Sequence, residues 1–243
     1  MQRGARKATA SGRRPLIVAH RGGARRAPEN TLAAFAEGVA SGADMIEFDV
    51  RRTADGVLVT VHDSAVGGVP VGQLTLAELR ARLPDAPPAT AEELLGWAAD
   101  RVAVDVELKE AGCGEEIVAL ARRHGTSGRG LLVTSFLDVA LTEARGADPE
   151  VSTGLIVEGG ARPADAVPAQ RLAALAPTCL VPSVELTERG FLAYAEQLGT
   201  RCFVWTVNER AGLEKLLAHS QVAGVITDVP AVALAVRKSL GRG

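Results

Sequence analysis

From residue 16 onward, short runs rich in Val, Ile and Leu alternate with stretches rich in Ala, Leu and Glu. That alternation permits few folds. Strand-like runs fall at 16–20, 44–50, 57–62, 102–108, 131–136, 154–157, 179–182, 201–207 and 224–227. Helical patterns lie between nearly all of them, among them 31–41, 115–124, 140–145, 188–198 and 211–219. Strands and helices taken in turn call for a parallel sheet covered by helices. A chain of 243 residues is close to the usual size of one (β/α)8 barrel.

The one break in the alternation sharpens this expectation. Between Val50 and Val57 only six residues intervene, Arg51 to Gly56, too few for a helix. Asp-Gly between strand-like residues signals a hairpin. With the returning run set aside, about eight parallel strands remain, the number a barrel requires. The expected fold is therefore α/β: a TIM barrel with an extra hairpin after its second strand. A turn at Asp55-Gly56 would set His62 opposite Asp49 on one sheet face. A second irregular stretch, 64–89, holds Gly67-Gly68, Pro70, Pro84, Pro87, Pro88 and a helical pattern at 74–83. It is too long for a simple strand-to-helix connection. It is expected to form a short rim insertion over one mouth, the alternative being a purely structural loop.

Composition narrows the function classes. The formal charge is −2, so the chain lacks the global basic field that nucleic-acid binding uses. Arg3, Arg6, Lys7, Arg13 and Arg14 make residues 1–14 a basic segment, expected to be a flexible tail before one barrel domain at 15–243. No apolar run follows the tail as a signal peptide requires. No run approaches the roughly 20 apolar residues of a membrane span. Cys113, Cys179 and Cys202 are odd in number, far apart and without CxxC spacing, so neither a disulfide framework nor a zinc site is indicated. Three unpaired thiols suit a reducing compartment, and the cytoplasm is the expected location.

Two strands carry their polarity the wrong way round for a barrel core. In Met45-Ile46-Glu47-Phe48-Asp49-Val50, the period of two puts Glu47 and Asp49 on one face and Ile46, Phe48 and Val50 on the other. In Val102 to Lys109, Asp105, Glu107 and Lys109 share a face opposite the valines and Leu108. Helices cover the outside of a parallel barrel, so the apolar faces belong there and the acids point inward. Inward carboxylates are costly unless a cation neutralises them. Oxygen-only donors suit one hard divalent cation, Mg2+ or Ca2+. Lys109 is a natural point charge for a phosphate oxygen.

His20 and His62 end two of the strand-like runs, where barrels place catalytic groups. Histidine titrates near neutral, which suits a general acid and base on either side of a phosphate. After His20, Gly22 and Gly23 let the backbone approach an anion, and Arg21 can grip phosphate with two donors. Asn30 reads as the N-cap of the next helix. His124 and His219 end helical patterns, where they read as structural.

Taken in order, these segments closely resemble the glycerophosphodiester phosphodiesterase family. The resemblance is carried by His20-Arg21-Gly22, Pro28-Glu29-Asn30-Thr31, Ile46 to Val50, Asp55-Gly56 leading to His62-Asp63, and Val106 to Lys109. It continues through Ser135-Phe136, Trp205 to Asn208 and Thr227-Asp228-Val229-Pro230, spanning residues 16 to about 230. It implies a TIM barrel with one divalent cation held by Glu47, Asp49 and Glu107. It also implies His20 and His62 as acid and base, Arg21 and Lys109 on the phosphate, and Trp205 near the substrate. The implied reaction is hydrolysis of a small glycerophosphodiester to glycerol 3-phosphate and an alcohol, a neighbouring glycerol hydroxyl attacking phosphorus to give a cyclic phosphate that water opens. The alternative on the same barrel is a lysophospholipase D or phosphoinositide-type phosphodiesterase. A binding protein that had lost its chemistry would lack a histidine or a carboxylate, and none is missing. An amidohydrolase would want a His-x-His pair, which is absent. One departure stands out: after His62-Asp63 the family's longer Leu-Asp-Arg-containing segment is replaced by Ser64 to Pro70, which bears on the alcohol side.

Overall fold

The computed structural model describes residues 14–23, 26–160 and 162–241. The expected basic tail lies outside the described residues except for Arg14, whose guanidinium pairs with Asp44 at 2.7 Å. The strands run in chain order: β1 (Leu16–Ala19), β2 (Met45–Arg52), β3 (Leu58–Thr60), β4 (Ala65–Val66), β5 (Val69–Pro70), β6 (Ala103–Leu108), β7 (Leu131–Ser135), β8 (Ser152–Val157), β9 (Cys179–Pro182), β10 (Cys202–Val204) and β11 (Val222–Thr227). Among them β1, β2 and β6 to β11 pair in parallel, neighbour to neighbour, and β1 also pairs with β2, so the sheet closes. This is the (β/α)8 TIM barrel that the alternation predicts.

Strand period explains both sides of the barrel wall. Ile46, Phe48 and Val50 on β2 and Val104, Val106 and Leu108 on β6 face outward into one buried apolar cluster with the covering helices. Within it, Phe48 meets Phe35 of helix Leu32–Ala40 edge to face, centroids 6.0 Å apart. Each such buried side chain contributes about 1.5–3 kcal/mol. Inward, Val18, Met45, Leu132, Ile156, Val181, Phe203 and Ile226 fill part of the barrel. The acids lie further along β2 and β6, toward the C-terminal mouth.

The hairpin exists, with a corrected register. The loop has three residues, Ala54-Asp55-Gly56, closed by Thr53 N donating to Val57 O at 3.0 Å. Gly56 supplies the left-handed conformation at φ 85°, as a three-residue hairpin loop requires. The extra loop residue makes the pairs Val50↔Thr60, Arg51↔Val59 and Arg52↔Leu58. Continued one step, Val61 rather than His62 would face Asp49, and the strand ends before that. β3 has a structural task as well. β1 pairs with only the first residues of β2, at Met45 and Ile46, and β3 takes up the hydrogen-bonding edge of β2 at its far end.

The excursion at 64–89 packs against the hairpin. A β4–β5 ribbon turns through Gly67 and Gly68, both at positive φ, and helix Leu76–Arg82 follows behind a Thr75/Glu78 capping box. Leu74 O accepts from Ala54 N at 2.8 Å, and Asp55 accepts from Leu76 N at 3.0 Å. Val59, Val61, Val71, Leu74 and Leu79 then close a satellite core against the hairpin. Two smaller corrections concern helices. Thr31, not Asn30, caps helix Leu32–Ala40, its side chain accepting from Ala34 N. The helical pattern at 188–198 is split by Arg189-Gly190 into Val184–Glu188 and Phe191–Gln197, Gly190 taking φ 86°.

Close packing of the barrel yields a direct test. A Cβ on Gly224 of β11 would lie 2.6 Å from the Phe203 ring and 2.8 Å from Leu16 O. Gly224→Ala is expected to lower stability by about 1–3 kcal/mol through overpacking, read as a lower urea midpoint. An unchanged midpoint would mean that β10 and β11 have room to shift.

Candidate active site

The loop after β1 sets the mouth. Ala19 leads into the turn His20–Gly22, where Arg21, Gly22 and Gly23 take φ of 50°, 95° and 60°. A Cβ on Gly22 would lie 2.6 Å from the Ala34 backbone, and one on Gly23 2.9 Å from the Pro230 ring. The turn is therefore wedged between helix Leu32–Ala40 and Pro230, and only glycine fits at those two positions. This placement directs Arg21 N to Glu47 Oε2 at 2.8 Å. The Arg21 guanidinium reaches Asp49 Oδ2 at 3.1 Å and Glu29 Oε1 at 2.8 Å.

The strand faces behave as their sequence period predicts. Glu47, Asp49 and Asp105 are buried inside the barrel, and Glu107 is nearly so. Glu47, Asp49 and Glu107 each offer an oxygen within 4.8 Å of the others, a group able to hold a metal ion. Lys109 Nζ lies between Asp49 Oδ1 at 2.9 Å and Glu107 Oε1 at 2.5 Å. Lys109 is thus engaged with the carboxylates, which is compatible with the phosphate role expected of it because an ammonium has three donors. Asn30, expected as a cap, instead crosses to β2: its Nδ2 donates to Asp49 Oδ2 at 2.8 Å and its Oδ1 accepts from Asp49 N at 3.2 Å. Its φ of 59° is one that Asn tolerates better than most residues. That tolerance was the available sequence signal.

Charge counting points to a cation. Four inward carboxylates, Glu47, Asp49, Asp105 and Glu107, face two close cations, Arg21 and Lys109. Glu47 Oε1 and Asp105 Oδ2 are buried with no hydrogen-bond partner among the described residues. Burial, then repulsion from Asp49, Glu107 and Asp105, pushes the Glu47 carboxyl well above its ordinary range. Burial raises Glu107 too, against the pull of Lys109. At Asp49 burial is outweighed by Lys109, Arg21 and the Asn30 hydrogen bond, so its carboxyl is held low. Asp105 is pushed up to about 8 by burial, although Thr134 Oγ1 donates to it at 2.8 Å. With all four carboxylates ionised, the deficit equals the charge of one divalent cation, which protons on Glu47 and Asp105 would otherwise offset, and an oxygen-only donor set suits Mg2+ or Ca2+.

Around this group lies a cleft of about 290 Å3 lined by both expected histidines, Arg21, Lys109, Phe136 and Trp205. His20 Nδ1 lies 2.6 Å from Asp228 Oδ1. His62 Nδ1 lies 2.9 Å from its neighbour Asp63, and Arg51 Nε holds the His62 carbonyl at 2.9 Å. So His62 reaches the mouth by leaving β3, not by pairing with β2. Trp205 anchors its Nε1 on Val181 O at 2.8 Å and meets Phe136 edge to face. Glu158 and Trp205 also line an adjoining groove of about 530 Å3, together with Ser183, Glu185, Arg189 and Thr206. No residue of 64–89 is among those lining these two cavities. His124 and His219 follow helices Gly114–Arg123 and Arg210–Ala218 and are not among the residues lining either cavity.

The mouth thus joins two cationic side chains and two histidines to carboxylates fit for a metal, on a TIM barrel. The chain belongs to the glycerophosphoryl diester phosphodiesterase family, whose profile matches residues 20–232. A glycerophosphodiester phosphodiesterase from Caldanaerobacter subterraneus subsp. tengcongensis is 28% identical over 241 residues, covering 88% of this chain and 94% of that protein. The Bacillus subtilis protein YhdW is 30% identical over 237 residues, with coverages of 88% and 94%. The crystal structure of glycerophosphodiester phosphodiesterase from Agrobacterium tumefaciens str. C58 superposes with a TM-score of 0.74 at 25% identity, covering 91% of this chain and 99% of that one. Among the described residues, no helix is long and apolar enough to cross a membrane.

The raised Asp105 carboxyl gives the folded chain a pH signature. An unfolded Asp titrates near 3.9, whereas folded Asp105 holds its proton to about 8. The folded state binds more protons across that window, so stability falls as pH rises through it. In a chelating buffer, Asp105→Asn is expected to lose less stability than the parent chain between about pH 5 and pH 8, measured by urea midpoints. Equal slopes would remove Asp105 from the account.

Proposed function

We propose that this chain hydrolyses water-soluble glycerophosphodiesters to glycerol 3-phosphate and a free alcohol, using one divalent cation held by Glu47, Asp49 and Glu107. The observation that carries this is the unpartnered Glu47 Oε1 within a carboxylate group two positive charges short, in a cleft shared with His20 and His62. The family membership and the full-length likeness to a named glycerophosphodiester phosphodiesterase support the substrate class. Mg2+ and Ca2+ both fit the donors. Bound there, either ion would draw charge from the phosphoryl oxygens.

The chain's own groups divide the remaining work. Arg21 and Lys109 offer N–H donors to non-bridging phosphate oxygens as negative charge grows. One histidine removes the proton from the glycerol hydroxyl next to the phosphate, and that oxygen bonds to phosphorus. The other histidine gives its proton to the alcohol oxygen as the phosphorus–oxygen bond breaks. In the second step their roles reverse: water loses a proton to one, and the cyclic ester oxygen gains a proton from the other. Trp205 and Phe136 present aromatic edges and faces along the cleft wall, where they orient the substrate. The groove beyond Trp205 is lined by Glu158, Ser183, Glu185, Arg189 and Thr206. Such a polar surface suits a small hydrophilic alcohol better than an acyl chain, which favours this reading over a lysophospholipase D.

Coupled detection of glycerol 3-phosphate from headgroup diesters, with and without Mg2+ or Ca2+, tests the whole assignment. His20→Ala and His62→Ala are each expected to lower kcat by about 100- to 10,000-fold while the cation still raises Tm. Glu47→Gln and Glu107→Gln are expected to lose turnover and the cation-dependent rise in Tm together. Full activity after dialysis against EDTA would overturn the metal assignment. Faster turnover of micellar lysolipid than of soluble diesters would overturn the substrate class.

A further inference from the structure

The two histidines of the mouth are held in different ways. His62 pairs with its own chain neighbour, Asp63, and both side chains are open to water, at 38% and 78% exposure. His20 is 18% exposed and pairs across the barrel seam with Asp228, which lies 208 positions away in the chain. The pairing follows from topology. β1 and β11 run side by side with Ala19 opposite Thr227, so His20 and Asp228 are the first residues beyond the ends of two adjacent strands.

Asp228 is itself fixed on its other side. Asn208 Nδ2 donates to Asp228 Oδ2 at 2.6 Å. Asn208 Oδ1 accepts from Asp228 N at 2.9 Å and from Thr227 Oγ1 at 3.1 Å. Both ends of the Asn208 amide are therefore spent on this one carboxylate and its strand. Thr227 Oγ1 in turn accepts from Val229 N at 3.1 Å, and Pro230 closes the gap against Gly23. The Asp228 carboxyl is held below its usual range by the His20 hydrogen bond first, and by Asn208. It is an acceptor locked in place beside an imidazole.

We propose that Asp228, held by Asn208, is the positioning residue that fixes His20 in the tautomer with its proton on Nδ1, leaving Nε2 bare toward the phosphate cleft. An ionised carboxylate only accepts, so Nδ1 must carry a proton to satisfy it. Nε2, which has no hydrogen-bond partner among the described residues, then holds the lone pair that takes a proton from the attacking hydroxyl. No bond to Asp228 is made or broken during the reaction. His62 Nδ1 meets a carboxylate too, but Asp63 is 78% exposed, so that pairing is looser and the two histidines enter the first step already distinguished. His20 is the base, and His62 the acid.

The kinetic arm rests on the proposed reaction, whereas the spectroscopic arm does not. Asp228→Asn keeps the shape but no longer compels a donor on Nδ1. It is expected to lower kcat by about 10- to 100-fold with KM within about twofold, a smaller loss than the roughly 10,000-fold of a fully buried serine-triad aspartate, because Asp228 is half exposed. In a His20→Ala background, the same substitution is expected to change kcat by less than about twofold, since residues that act as a unit do not add. Long-range 15N–1H correlation of the neutral His20 ring, which needs no substrate, is expected to show the Nδ1–H form in the parent chain and a mixture of tautomers in Asp228→Asn. Asn208→Ala, with the carboxylate kept but unpinned, is expected to give an intermediate mixture and an intermediate kcat, and Tm checks that each variant is folded. An unchanged tautomer, or an equal kcat loss in both backgrounds, would overturn the proposal. If the parent chain releases no glycerol 3-phosphate, the assigned reaction fails while the ring spectrum still decides the role of Asp228.

Discussion

Everything at the mouth depends on the burial of four carboxylates inside one barrel. An ionised carboxylate taken from water costs several kcal/mol even after relaxation, more than the 1.5–3 kcal/mol that a buried Leu or Phe contributes. Glu47, Asp49, Asp105 and Glu107 could not be tolerated there as a random feature. The structure offsets them in three ways: cations at Arg21 and Lys109, donors at Asn30, Thr134 and the Arg21 backbone, and raised affinity for protons at Glu47 and Asp105. A group so arranged exchanges protons for a divalent ion readily, because the same electrostatic deficit attracts both. Stability and function are thereby in tension: the site is costly without its counter-charge, and that cost is what makes a cation bind.

The rest of the barrel accommodates this local cost. Apolar residues line the inside from Val18 and Met45 to Ile226, and the outward faces of β2 and β6 are apolar under their helices until Arg52, which ends β2 and pairs with Glu116. The turn at His20–Gly23 links the two regions. It is anchored to Ala34 on one side and to Pro230 on the other, so the backbone donor to Glu47 and the imidazole beside Asp228 are set by the same few residues. A shift in that turn would disturb the carboxylate group and His20 together. Strain at Arg21, with φ of 50°, is maintained because packing on both flanks determines it.

Period-based signals made the architecture legible, and they made half of the site legible too. Alternation gave the barrel, and the period of two on Met45–Val50 and Val102–Lys109 put every acid on its observed face. What escaped were features that depend on one backbone angle or on distant chain segments. The hairpin was visible, but its three-residue loop hinges on Gly56 at positive φ, and one residue of loop moves the register by one. Asn30 has the sequence setting of a cap, ahead of a helical pattern, while its partner Asp49 is 19 residues away. Asp228 and Asn208 stood within recognised motifs without a role, since no local pattern says that residues 20 and 228 become neighbours; only barrel closure does. The satellite core of the excursion at 64–89 is also non-local, since Val71, Leu74 and Leu79 close only against Val59 and Val61 of the hairpin.

The position of that excursion has a consequence for substrate choice. With residues 64–89 folded against the hairpin, one side of the mouth is lined by residues at or just beyond the ends of β7 to β10: Phe136, Glu158, Ser183, Glu185 and Trp205. Strand ends are rigid, so this wall is preformed and its shape varies little between free and bound states. A preformed polar wall discriminates by the hydrogen bonds and charges it offers, because a ligand that leaves them unmatched loses their solvation without recompense. An acyl chain leaves Glu158 and Glu185 unmatched, whereas a hydroxyl or ammonium group does not.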